Sequence, residues 1–332
     1  MRKAITAIVI IAAAVTGYVI SYPVFNNGEK LGGGKQIAGE QDPKQTQNGP
    51  FIAVIYDNDP NARPQFGLSE ASIVFETVAE GGITRMLAFF DKHQKITKIG
   101  PVRSARPYFV DWARGFGSAL AHSGGSREAL AQISSLGNAF HDINEFFNEH
   151  TFRRDTRRTA PHNLFTSSDL LQSFASGKAW PLEMQISPWA VSDEKAGENV
   201  QTTATSIRVD FSYPQFVASY QYDVTNKNYI RSLGGRPDKD AINGQQITAK
   251  NVVILYTTSS VIDPKLLTVD LITSGSGRAM VFTNGKVMQA RWQKSGSAGE
   301  LKIVDADGSS VVIGHGPTWI EVIDQNAAAS WK

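Results

Sequence analysis

From Pro50 onward the chain alternates short apolar runs with turn-forming clusters. Phe51–Tyr56 is continuously apolar and closes on Asp57-Asn58-Asp59-Pro60-Asn61, the pattern of a buried strand. Ser72–Glu80, Gly81-Gly82 and Ile83–Phe90 read as a β-hairpin on a two-residue glycine turn. Pro107–Arg114 is expected to be a helix opened by its proline and closed near Gly115 or Gly117. Ala119–His122 is strand-like, Arg127–Leu136 is helical behind a Ser126 N-cap, and Ser167–Phe174 forms a further helix. After a polar linker, Ser192–Thr205, the pattern turns to strands: Val209–Phe211, Ala218–Tyr222, Val252–Tyr256, Arg278–Phe282, Val287–Trp292, Leu301–Val304 and Trp319–Val322. Asn284-Gly285 and Asp307-Gly308 are strong hairpin signals between them. The expected fold class is α+β: a mixed α/β domain over 50–190, then a smaller, mainly β domain over 206–325.

The first residues follow neither pattern. Ala4 to Gly28 carries no charge and sits directly behind Met1-Arg2-Lys3. About 20 apolar residues cross a bilayer, and the basic flank orients the segment with its tail inside and the rest outside. Residues 1–25 are therefore a membrane anchor or signal segment. The absence of a small-residue cleavage site after Val19-Ile20 favours the uncleaved, single-pass anchor. Residues 26–49, with Gly32-Gly33-Gly34 and few apolar positions, read as a flexible linker reaching about 25–30 Å.

Composition narrows the chemistry. A net charge of +2 gives no basic field for nucleic acid. The chain has no cysteine, which removes disulfides, thiolate metal sites and cysteine nucleophiles. No histidine pair has ligand spacing, so no metal or cofactor is expected.

Candidate chemistry lies where charge interrupts the pattern. Registering the hairpin from its turn puts Glu76, Glu80 and Arg85 on one face, with Arg85 between the two carboxylates. This is either a half-exposed ion pair or a carboxylate held at a cleft wall. Glu76 and Glu80 would be about 13 Å apart at ~3.3 Å per residue, beyond the roughly 5–9.5 Å of paired glycosidase carboxylates. Arg103 and Arg106 fall at the N-terminus of the Pro107 helix, where an anion or an internal carboxylate would offset the macrodipole. Ser123-Gly124-Gly125 joins a strand to a helix, the form of an anion cradle or of a plain tight turn. Arg153-Arg154-Asp155-Thr156-Arg157-Arg158 is the densest basic run, a solvated face or a contact for an acidic polymer or lipid headgroup, and Pro161-His162-Asn163 follows it.

Ala62–Ala71, Glu80–Arg85, Gly100–Arg106 and Ala160–Leu164, with Asn284-Gly285-Lys286 and Gly316–Trp319, resemble the YerB-like family of bacterial envelope lipoproteins. That resemblance spans about Pro50 to Asp324 and implies two domains and an envelope location, without an activity or catalytic residues to transfer. The missing cysteine departs from a lipoprotein pattern, so the anchor here must be protein. The leading expectation is a membrane-anchored, extracytoplasmic protein binding an anionic polymer or glycan of the cell wall. Its contacts would be Arg63, Arg85, Arg103, Arg106, Ser123, Gly124, Gly125, His162 and Asn163. The alternatives are a peptidoglycan-cleaving glycosidase or lytic transglycosylase-like enzyme using Glu80 or Glu76, and a scaffold for other envelope proteins.

Overall fold

The computed structural model describes residues 51–332 apart from 92, 181–188, 199 and 201. The expected anchor or signal segment and the expected linker lie outside the described residues. Among the described residues no helix is long and apolar enough to cross a membrane.

The first segment runs β1 (Phe51–Asp57), β2 (Ile73–Glu80), β3 (Ile83–Asp91), α1 (Pro107–Gly115), β4 (Ala119–His122), α2 (Arg127–Leu136) and β5 (Asp142–Asn144). A short pair, β6 (Arg153–Arg154) and β7 (Leu164–Phe165), precedes α3 (Ser168–Gly177). Then come β8 (Ala190–Val191), β9 (Ser206–Asp210), β10 (Val217–Asp223), β11 (Asn228–Leu233), β12 (Arg236–Pro237) and β13 (Thr248–Ala249). The chain closes with β14 (Asn251–Thr257), β15 (Ser259–Asp263), β16 (Thr268–Leu271), β17 (Gly275–Thr283), β18 (Lys286–Lys294) and β19 (Leu301–Val304), followed by β20 (Val312–Ile313), β21 (Thr318–Asp324) and β22 (Ala329–Trp331). The expected helices and all seven expected C-terminal strands are present. The molecule is nonetheless richer in sheet than an α+β description conveys, because hairpins such as β10–β11 and β15–β16 fill the stretches between them.

One ten-stranded sheet, ordered β19-β18-β17-β14-β21-β2-β3-β1-β4-β5, draws strands from both segments. Its join is parallel pairing of β2 with β21. Alternation along β1 sends Ile52, Val54 and Tyr56 to one face and Ala53 and Ile55 to the other. Both faces are buried, which is why the run is continuously apolar. Helices α1 and α2 cover the second face, where Phe75 stacks on Trp112 with centroids 4.7 Å apart. The smaller sheet, β12-β11-β10-β9-β22 with β13, and helix α3 cover the first. Each large side chain buried between these layers contributes about 1.5–3 kcal/mol.

Candidate functional site

Strands β1, β4 and β5 are parallel, β1 and β2 both run antiparallel to β3, and β2, β21 and β14 are parallel. Six carboxyl ends therefore reach one edge of the sheet, at Asp57, Glu80, His122, Asn144, Thr257 and Asp324. That edge is where open sheets of this kind place ligands. The segment Gly100–Ala105 threads into it. Asp57 N–H donates to Pro101 O, Arg103 N–H to Ile55 O, and Ser123 N–H to Arg103 O. Gly100 permits this path at φ 132°, where a Cβ would stand 2.8 Å from Val102 N and 3.0 Å from Leu164 O.

Three of the four candidate arginines meet at this edge, with two acids already among them. Glu80 accepts hydrogen bonds from both Arg85 and Arg106. Arg106 is the N-cap residue of α1, and its guanidinium, not a helix N–H, meets the Glu80 carboxylate. Burial pushes the Glu80 carboxyl up, but Arg85 and Arg106 together outweigh it and hold it below its ordinary value. A general acid needs the opposite shift. Arg103 Nε lies 3.2 Å from Asp57 Oδ2 without pointing its N–H at that oxygen, and His162 Nδ1 sits 2.7 Å from the same atom. Burial draws the Arg103 guanidinium down, with Asp57 opposing. Among the described residues nothing accepts from the two terminal nitrogens of Arg103, whose side chain is 21% exposed.

The hairpin register departs from expectation by one residue. A bulge at Ala79 leaves Glu80 opposite Ile83 but sets Val78 against Thr84, Thr77 against Arg85 and Glu76 against Met86. A bulged residue reverses the side-chain alternation beyond it. Glu76 consequently faces away from Glu80 and Arg85, into the layer beneath the smaller sheet. It is fully buried, accepting from Asn58 Nδ2 at 2.9 Å, Thr84 Oγ1 at 2.7 Å and Arg231 Nη2 at 2.5 Å. No ligand outside the fold can reach it.

The glycine turn is filled from within. Gly124 N–H donates to Asn144 Oδ1, Gly124 O accepts from Ala105 N–H, and Ser126 N–H donates to Ala105 O. The Ser123 hydroxyl donates to Glu145, and Gly125 bridges Ala105. Buried His122 braces the turn, with Nδ1 2.7 Å from Gly124 O and Nε2 2.6 Å from Asp142 Oδ1. The Ser123 and Ser126 N–H groups are spent on the inserted segment and that of Gly124 on Asn144, so the turn braces the Arg103 segment. Arg63 lies elsewhere. It donates to Asn58 and, through Nη1, to Gln215 O at 2.9 Å, and it borders a cleft of about 720 Å³ shared with Pro214, Gly234 and Asp238. His162 joins the edge cluster, whereas Asn163 Oδ1 accepts from Arg154 at 3.0 Å.

Sequence reasoning missed Arg231. Its fully buried guanidinium pairs with Glu76, Glu321 and Asp238 and lies 4.1 Å from the Trp319 ring centroid. Burial pushes the Glu321 carboxyl up to about 8, Arg231 opposing and Glu76 reinforcing. The available signal was phase: in β11, Tyr229, Arg231 and Leu233 share the buried side of the alternation. Among the described residues no group of three or more His, Asp or Glu side chains could hold a metal ion.

Residues 37–181 match the N-terminal domain of the family described as protein of unknown function (DUF3048), and residues 207–320 match its C-terminal domain. The protein named "Putative lipoprotein YerB" of Bacillus subtilis (strain 168) is 34% identical over 292 residues, 86% of this chain and 85% of that protein. The crystal structure of YerB protein from Bacillus subtilis superimposes with a TM-score of 0.75 at 32% identity, covering 86% of this chain and 94% of that one. The chain therefore belongs to the DUF3048 family of YerB-like proteins.

Proposed function

We propose that the chain is held at a membrane by its charge-free N-terminal segment and binds an anionic polymer or glycan of the cell envelope at the carboxyl edge of its large sheet. The location draws on the relative named as a lipoprotein and on the basic-then-apolar N-terminus. The observation that carries the binding reading is Arg103, a partly exposed guanidinium among the carboxyl ends of the strands, whose terminal N–H groups no described residue accepts from. Such groups fit the paired oxygens of phosphate or carboxylate. Beside it Arg85 and Arg106 share the single Glu80 carboxylate, leaving that floor positively charged. In a sedimentation assay with purified cell-wall polymer, Arg103→Gln should lower the affinity about tenfold. Binding by the parent should weaken as salt rises. Equal binding by parent and variant would remove Arg103 from the reading.

A second reading, a scaffold for envelope proteins, is favoured by the β15–β16 hairpin, where Val261, Ile262 and Leu266 are 54%, 46% and 64% exposed. Its contacts would survive Arg103→Gln and fail with Val261→Ser and Leu266→Ser.

A further inference from the structure

A second basic site stands beside the edge cluster. Lys98, Arg153 and Arg154 line a cavity of about 360 Å³, together with the hydroxyl residues Thr97, Thr156, Thr166 and Ser167, of which Thr166 already donates to Thr151 O. Its floor includes Phe165, and the Lys98 ammonium is pinned between two rings, 3.9 Å from the Phe165 centroid and 4.0 Å from that of Phe66. Asp155 is the acid in this lining, and it is already taken by Lys98 and by Arg157. Arg154 is matched by Glu145. Arg153 is different: its Nη1 donates only to the carbonyl oxygens of His150 and Phe152, and among the described residues no carboxylate pairs with it. The site therefore holds an exposed guanidinium with no carboxylate partner among the described residues, beside an edge where Arg103 keeps open terminal nitrogens although Asp57 lies at its Nε. Adjacent residues tie the two together, since His162 reaches Asp57 beside Arg103 while Asn163 holds Arg154.

We infer that this cavity is a second anion subsite, taking a phosphorylated polyol or sugar unit of the same chain molecule whose neighbouring unit lies at Arg103. The inference rests on the anion-binding reading of the edge. The volume falls in the usual range of ligand pockets, about 300–1,000 Å³, and exceeds what a bare phosphate fills. Cations meet the phosphate, Thr97, Thr156 and Ser167 meet polyol oxygens, and Phe165 offers an apolar surface. Two subsites bridged by one ligand multiply affinity through effective concentration.

The test titrates the full chain, in non-ionic detergent, with glycerol 3-phosphate and with poly(glycerol phosphate) of increasing length, by calorimetry. Affinity should rise steeply once the polymer spans both subsites. Arg153→Gln, which gives up only bonds to two carbonyls at an exposed position, should keep the parent's melting temperature. It should lose about tenfold in polymer affinity and lower the slope of log affinity against log salt by about one. Polymer binding by Arg153→Gln equal to the parent's overturns the subsite and leaves Arg103 standing. Sensitivity to Arg153→Gln with indifference to Arg103→Gln keeps the cavity as an anion site but ends its link to the edge. No binding of the polymer by the parent overturns both.

Discussion

Replacing Glu321 by Gln isolates the electrostatics of the buried Arg231 cluster. Three carboxylates, Glu76, Glu321 and Asp238, share one guanidinium in a region no more than 6% exposed. The charges do not balance, and Glu321 lessens the excess by keeping its proton to about pH 8 against an ordinary value of 4.5. The folded state thus holds a proton that the unfolded chain releases, and between those values stability must fall as pH rises. At about 1.4 kcal/mol per pH unit, the loss from this group approaches about 5 kcal/mol by pH 8, an upper bound because Glu76 and Arg231 share the titration. Glutamine mimics the protonated acid and removes the dependence. Its amide costs on the order of 1 kcal/mol, since Glu321 Oε2 has no hydrogen-bond partner to offer it. Urea unfolding of the full chain in detergent, at intervals from pH 5 to 9, should show the variant equal to or slightly below the parent at pH 5 and above it at pH 9. Two curves that stay parallel across the range would refute the argument.

Two further outcomes follow from the same contacts. Arg231→Met strands three buried acids and should cost about 3–5 kcal/mol at neutral pH, read from the urea midpoint, with less loss in acid where the carboxyls protonate. Glu80→Gln removes the acid shared by Arg85 and Arg106, whose side chains are 3% and 7% exposed, and should cost about 1–3 kcal/mol. Because the folded Glu80 carboxyl is held low, its contribution is present above its ordinary value and disappears as pH falls, so parent and variant should converge in acid. The same substitution uncovers two guanidinium groups and should strengthen polymer binding in the sedimentation assay.

What was legible in the sequence was local. The Gly81-Gly82 turn, the Asn284-Gly285 turn and the Ser126 cap each act within a few residues, and all appear where the pattern placed them. The bulge at Ala79 could not be read, because no glycine or other turn residue marks it within β2. One residue of slippage was enough to send Glu76 to the wrong face. Arg231 meets Glu76 across 155 positions of sequence, so no window along the chain contains both. The arginine-rich phrases around Arg85, Arg103 and Arg106 did converge, and the turn pattern had already set Glu80 beside Arg85, but Asp57 as the acid beside Arg103 was invisible until the strands were paired.

The place of β21 has a consequence for how the protein is made. It is inserted between β14 and β2, deep in the large sheet, although it is nearly last in sequence. A newly synthesised chain can pair β1, β2 and β3 early, but the open side of β2 then waits for residues more than two hundred positions downstream. Until they emerge, that bare backbone is a template for pairing with other chains. Biogenesis should therefore depend on a chaperone that shields the half-built sheet, and truncations that delete the last strands should yield aggregates and not a smaller folded protein.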